Sequence, residues 1–211
     1  MKSILCAIAL ILASFSASAG DFRGVIGYGI GAGTLEDDAG DELEADSSGI
    51  VLDGLYFLGE SGPFFGVRFS QTEVGDFEVN GQPLGIPDQD TDTTSFTVGY
   101  RGGSRGQPQF FGSVRLARSD TDDGDDDDST IFTVGVEKDQ GNGRYEFSGS
   151  YDKGDDFDSF GVDATGFIYV SDILGLGASA GYSVGDGTIF GEDVDTTGWA
   201  LGVAVEFRVF Q

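Results

Sequence analysis

The C-terminal stretch from Thr197 to Val209 alternates apolar residues with small or charged ones. The apolar positions are Trp199, Leu201, Val203, Val205, Phe207 and Val209. The positions between them are Gly198, Ala200, Gly202, Ala204, Glu206 and Arg208. A period of two is that of a β-strand, in which successive side chains point to opposite faces. The stretch therefore predicts a strand with one continuous apolar face and one small or charged face.

Nine earlier segments repeat this alternation. They are residues 22–32, 49–58, 64–74, 93–102, 110–118, 130–138, 144–152, 159–170 and 174–184. Each is close to the length of about 9–11 residues that a tilted strand needs to cross a bilayer. The pattern predicts an all-β chain, folded as an antiparallel up-and-down transmembrane β-barrel of ten strands. Eight strands are the fallback if 49–58 or 144–152 does not pair.

The acidic residues are concentrated in every second connection between these segments. Of the 37 Asp and Glu residues, 27 lie in five connections whose only base is Lys153. These connections are 33–47, 75–92, 119–129, 152–158 and 185–195. A soluble β-sandwich has no reason to place its charge at one end, whereas outer-membrane barrels have short periplasmic turns and longer polar outer loops. The acidic ends are therefore predicted to be extracellular, and the net charge of −26 argues against nucleic acid as a partner.

Residues 1–19 have the features of a cleaved secretory signal peptide. Lys2 supplies the positive charge, the run from Ile4 to Phe15 is apolar, and Ala17 to Ala19 forms a small-residue cleavage site. The apolar run is too short to span a bilayer as a helix. Residues 20–211 are then predicted to form one barrel domain. Because Cys6 is the only cysteine, the exported chain is expected to have no thiol chemistry.

This layout resembles the small outer-membrane β-barrel proteins of Gram-negative bacteria, the class of OmpA-like, OmpX-like and porin-like barrels. The closing strand from Trp199 to Val209 looks like the C-terminal signal that the barrel-assembly machinery reads. Members of the class usually end on an aromatic residue in register with the apolar face. Here Gln211 takes that place and Phe210 is out of register. The resemblance implies a place in the outer membrane among lipid and lipopolysaccharide, and we expect a monomer.

Eleven charged residues fall on the face opposite the apolar one. They are Arg23, Asp53, Arg68, Arg101, Arg115, Glu137, Arg144, Glu146, Asp163, Glu206 and Arg208. Charges in a narrow interior cost free energy unless they are paired, and narrow barrels are commonly filled by their own side chains. We therefore predict a lumenal ion-pair network that fills the lumen. The alternative is a charged constriction in a small pore.

The acidic run from Asp120 to Asp128 invites comparison with a calcium-binding loop. With Gly124 at position six of such a loop, Ser119 and Thr121 occupy positions one and three and Thr130 occupies position twelve, so the ligand register fails. The composition favours a solvated acidic loop. Weak binding of divalent cations at the acidic loops is the alternative, and no metal or cofactor site is predicted.

The chain contains no histidine, and after processing it would contain no cysteine. Both Ser-His-Asp and Cys-His catalysis are thereby excluded, and we predict that the protein is not an enzyme. Three functions stay open. The favoured one is a structural or surface-interaction barrel with acidic extracellular loops. The others are a narrow cation-preferring diffusion channel and a soluble periplasmic β-sandwich binding protein.

Overall fold

The computed structural model describes residues 20–37, 39–121, 126–154, 157–189 and 192–209. The predicted signal peptide (1–19) and the chain end at Phe210 and Gln211 lie outside these ranges. The strands are β1 (Asp21–Asp37), β2 (Glu42–Phe57), β3 (Gly62–Val79), β4 (Gln82–Pro83), β5 (Gln89–Gly102), β6 (Gln109–Thr121), β7 (Asp126–Gln140), β8 (Gly143–Lys153), β9 (Phe157–Tyr169), β10 (Leu174–Ile189) and β11 (Glu192–Val209). Within the described ranges, no helix is long and apolar enough to cross a membrane.

Ten of these strands close into an antiparallel barrel. Each pairs with its sequence neighbours, β1 pairs with β11 to close the circle, and β4 is a two-residue ladder attached to β3. Following the paired residues once around the wall from Arg23 leads back to Leu35, twelve residues further along β1. Strands in a closed barrel tilt, and this stagger is the consequence. The prediction of an all-β, ten-stranded barrel is confirmed.

The strands extend further into the acidic connections than the alternation predicts. β1 runs five residues past its predicted end, to Asp37, and β2 begins seven residues before its predicted start, at Glu42. The added residues pair with each other, as Glu36 does with Glu42. Backbone pairing does not need apolar side chains, so the ladder continues where the apolar pattern stops. The acidic ends are thus largely paired strands rather than loops.

The outer surface of the barrel is apolar over most of its height. On the closing strand, Trp199, Leu201, Val203, Phe207 and Val209 are exposed and Val205 is half-buried. Large apolar side chains are also exposed on each of the nine remaining barrel strands. Water-soluble monomers rarely expose such a continuous apolar surface, whereas outer-membrane barrels carry an apolar band about 25 Å tall. The chain is therefore an outer-membrane β-barrel of the kind found in Gram-negative bacteria.

The two lysines that follow residue 19 lie at opposite ends of this barrel and allow its orientation to be tested. Lys153 is exposed at the acidic end of β8, whereas Lys138 lies near the short-turn end of β7. We expect a membrane-impermeant amine reagent added to intact cells to modify Lys153 and to leave Lys138 unmodified, as read by peptide mass spectrometry. Cells with a permeabilised outer membrane are the control. Modification of Lys138 alone on intact cells would show the opposite orientation.

Candidate functional site

A buried glutamate, Glu137 on β7, joins four strands across the short-turn end of the lumen. Arg23 on β1 donates to its carboxylate at 2.9 Å, and Arg101 on β5 donates at 3.0 Å. Arg144 on β8 donates at 3.4 Å. All four side chains are less than a tenth exposed. Charge-assisted hydrogen bonds of this kind compensate for the cost of removing the charges from water.

A second glutamate, Glu206 on the closing strand, extends the same network and is 0% exposed. Arg144 and the Tyr169 hydroxyl each donate to its carboxylate. Arg208 donates through Nε at 2.5 Å and reaches Asp139 with its terminal nitrogens at 3.0 Å. A third glutamate, Glu146, is joined to the network through Arg144 Nη1 at 2.5 Å.

Aromatic rings hold the arginines of this network in place. The Arg101 guanidinium carbon lies 4.0 Å from the ring centroid of Phe57, and that of Arg144 lies 4.7 Å from the centroid of Phe167. Cations over aromatic faces are attracted by the ring quadrupole. The network and its rings are together called the plug. Phe64 belongs to it because its ring packs against Phe57, with the centroids 5.3 Å apart. The members of the plug are Arg23, Phe57, Phe64, Arg101, Glu137, Asp139, Arg144, Glu146, Phe167, Tyr169, Glu206 and Arg208.

Glycines on neighbouring strands leave room for the inward aromatic rings. A Cβ added to Gly177 on β10 would lie 2.5 Å from the Phe167 ring and 2.7 Å from a backbone oxygen. In the same way, Gly99 lies beneath Phe64 and Gly135 beneath Phe111. These positions explain part of the glycine content, since a side chain there would displace a ring from the plug or from the layer above it.

Gly177→Ala is therefore expected to destabilise the barrel by about 1–3 kcal/mol, the usual cost of overpacking a filled interior. Gly33→Ala is the matched control, because its added Cβ would meet no atom closer than 3.5 Å. Urea unfolding of both variants in lipid vesicles measures the difference. Equal stability of the two variants would contradict the close packing of Phe167 on Gly177.

Above the plug the lumen contains a cavity of about 1010 Å³. It ends on plug residues that include Arg23, Arg101, Glu137 and Arg144, and the cavity on their other side measures only about 10 Å³. One wall, formed by β1, β10 and β11, is rich in small residues on its inward-facing side. They are Gly27, Gly29, Gly33, Ser179, Gly181, Ser183, Gly198, Ala200, Gly202 and Ala204. This cavity differs from the sequence prediction of a lumen filled by side chains, because small residues from strands distant in sequence meet on one wall.

The eleven predicted lumenal residues thus separate into two groups. Arg23, Arg101, Glu137, Arg144, Glu146, Glu206 and Arg208 belong to the plug. The other four line the cavity: Asp53, Arg68, Arg115 and Asp163. Of these, Arg68 and Asp53 pair at 2.6 Å. The Arg115 Nε donates to Thr97 Oγ1 at 3.3 Å, and no hydrogen bond or ion pair within 4 Å joins Arg115 to Asp163 in the described ranges.

Sequence reasoning missed Asp139, Tyr169 and the inward aromatic residues. A usable signal was present, since Tyr169 and Phe167 share strand parity with Asp163, and Phe57 shares it with Asp53. Whether a residue is an odd or an even number of positions from a known inward residue indicates which face it lies on more reliably than its hydrophobicity does, because the alternation follows from the backbone alone. The inward aromatics were masked by the expectation that large apolar residues face lipid.

The described residues include no group of three or more acidic side chains placed to hold a metal ion. The sequence leaves weak binding of divalent cations by the run from Asp120 to Asp128 as an alternative. Residues 122–125 of this run lie outside the described ranges.

No protein-family model matches the chain, and a search of curated proteins found no match. Among solved structures, the chain is similar to the translocator domain of the autotransporter NalP from Neisseria meningitidis, at 13% sequence identity and a TM-score of 0.48. The superposition covers 99% of the present chain and 95% of the NalP domain. It is similar to the outer-membrane protease OmpT from Escherichia coli at 8% sequence identity and a TM-score of 0.48, with 92% of the present chain and 98% of OmpT covered. It is also similar to the attachment invasion locus protein Ail of Yersinia pestis at 17% sequence identity and a TM-score of 0.41, with 91% of the present chain and 100% of Ail covered. The three names describe different functions, and no function is transferred from any of them.

Proposed function

We propose that this protein is a closed outer-membrane barrel with a structural or surface-interaction role, and that its acidic strand ends lie outside the cell. The observation that carries the proposal is the plug. Its charges are paired across strands β1, β5, β7, β8 and β11, and the cavity ends on them. An ion that crossed this layer would have to separate buried ion pairs, which is energetically costly. A barrel closed in this way serves as a scaffold rather than as a passage.

The acidic ends supply the surface for interaction. Exposed carboxylates such as Glu44, Asp46 and Glu73 lie where strands extend beyond the apolar band. Such a surface attracts cations and cationic partners, more strongly at low ionic strength. We propose lipopolysaccharide, linked through weakly bound divalent cations, as its neighbour in the membrane. We further propose that the barrel is monomeric, that the assembly machinery reads its closing strand, and that it catalyses no reaction.

Planar-bilayer recording of the refolded barrel tests the closed state. We expect little or no stable conductance, because the plug spans the lumen. Residual current is expected to be cation-selective, because the acidic ends concentrate cations, and to lose selectivity as ionic strength rises. Large, long-lived, anion-selective channels would contradict both the plug and the electrostatic argument.

A narrow cation-preferring channel is the second candidate, and the cavity above the plug favours it. Half of a conducting path is already open, so only the plug would have to rearrange. Large cation-selective currents in the same recording would establish this function in place of the first.

A further inference from the structure

Arg115 on β6 and Asp152 on β8 lie in one row of the cavity wall. The register pairs Arg115 with Ile131, and Ile131 with Asp152. Neighbouring strands are about 4.8 Å apart, so the two α-carbons are separated by about 10 Å. All three residues line the cavity. A cation and an anion are thus held on the same wall with a β-branched apolar residue between them.

Within the described residues, both charged groups keep hydrogen-bonding atoms that have no protein partner. Arg115 makes one hydrogen bond, from Nε to Thr97 Oγ1, and forms no ion pair within 4 Å in the described part of the chain. Within the described ranges, the Oδ1 of Asp152 is buried without a hydrogen-bond partner. A buried acceptor without a partner costs free energy. The Arg68–Asp53 pair in the same cavity shows the contrast, because there two nitrogens of the arginine donate to one carboxylate oxygen, at 2.6 and 3.0 Å.

We propose that the cavity binds a small zwitterion, a molecule that carries one carboxylate and one ammonium group. The ligand carboxylate would accept hydrogen bonds from the terminal nitrogens of Arg115, whose planar guanidinium matches a carboxylate. A rotation of the Asp152 carboxylate would turn Oδ1, which is buried and without a partner in the described ranges, towards the cavity, where the ligand ammonium would donate to it. Ile131, between the two groups, provides an apolar surface for the carbon skeleton.

The charge of the surroundings selects the same class of ligand. Acidic strand ends surround the mouth of the cavity and repel a molecule with net negative charge. A simple amine would enter but would leave Arg115 without an anionic partner. A zwitterion has no net charge and satisfies both groups. The cavity volume of about 1010 Å³ is ample for a molecule the size of an amino acid.

Equilibrium dialysis of labelled alanine against the refolded full-length barrel in detergent micelles tests the proposal. Acetate and methylammonium, each carrying one of the two charges, are the comparison ligands. We expect saturable binding of one alanine per barrel, and at least tenfold weaker binding of either single-charge ligand. Absence of saturable alanine binding, or acetate or methylammonium binding as tightly as alanine, would overturn the proposal.

Variants then locate the site. Arg115→Gln and Asp152→Asn are each expected to weaken alanine binding at least tenfold. Arg118→Gln and Asp120→Asn are matched controls on the same region of β6, because these two residues pair at 3.5 Å and are more than half exposed. They should bind alanine as the unmodified barrel does. Unchanged binding in the Arg115 and Asp152 variants, with correct folding shown by heat-modifiable gel mobility, would place the ligand elsewhere and overturn the assignment.

Discussion

Replacing Glu206 with glutamine is expected to destabilise the barrel by about 3–5 kcal/mol. Removing one partner from a buried ion network leaves the remaining charges uncompensated, and this range is the usual cost. Glu206 is 0% exposed, and its carboxylate accepts from Arg144, Arg208 and Tyr169. Glutamine keeps the shape but loses the charge, so the effect reports electrostatics rather than packing. Urea unfolding in lipid vesicles measures it.

Glu60→Gln is the control for this prediction. Glu60 is exposed in the turn between β2 and β3, at the same end of the barrel. Surface substitutions of this kind usually change stability by less than about 0.5 kcal/mol. The Glu206 variant is also expected to conduct more in a bilayer than the unmodified barrel, since its plug has lost a central anion. Unchanged stability together with unchanged conductance would show that the network neither stabilises the barrel nor closes it.

Placing arginine at position 203 is expected to cost about 2–4 kcal/mol, the range for a cation on the lipid face at the bilayer midplane. Val203 is 63% exposed on the outer surface and lies midway along the apolar part of β11. It is flanked in register by Tyr28 on β1 and Ala178 on β10, so the introduced charge would have only apolar or aromatic neighbours there. Refolding titrations into lipid vesicles measure the cost.

Ala204→Arg is the matched comparison, one residue further along the same strand. Ala204 borders the lumenal cavity, so an arginine there extends into the lumen and avoids the cost of entering lipid. Its penalties would be crowding against neighbouring side chains and partial loss of hydration, which are expected to be smaller than the cost of entering lipid. Equal stability of the two variants would contradict the assignment of Val203 to the lipid-facing surface.

Strand number, strand facing and the position of the short turns were predictable from sequence, because each depends on local rules. Alternation at period two assigns every residue of a strand to one of two faces, and it placed Arg23, Glu137 and Glu206 on the inner face of the barrel wall. Glycine-containing turns such as that at Gly141 mark where strands reverse, and Gly141 has a φ of 62° that favours glycine. Strand ends in the acidic segments were not predictable, because backbone pairing continues there without an apolar pattern.

The sequence by itself therefore determined the barrel class and the two faces of each strand, since the geometry of an extended backbone alone dictates facing. Only the tertiary structure decided which charges meet. Arg23 and Glu137 are separated by 114 residues and are brought together because closure of ten strands with a stagger of twelve residues puts β1 and β7 at the same level of the lumen. The same closure joins the small-residue faces of β1, β10 and β11 into one wall, and this wall creates the cavity. Both the plug and the cavity are properties of the register around the whole barrel, and no single strand contains that information.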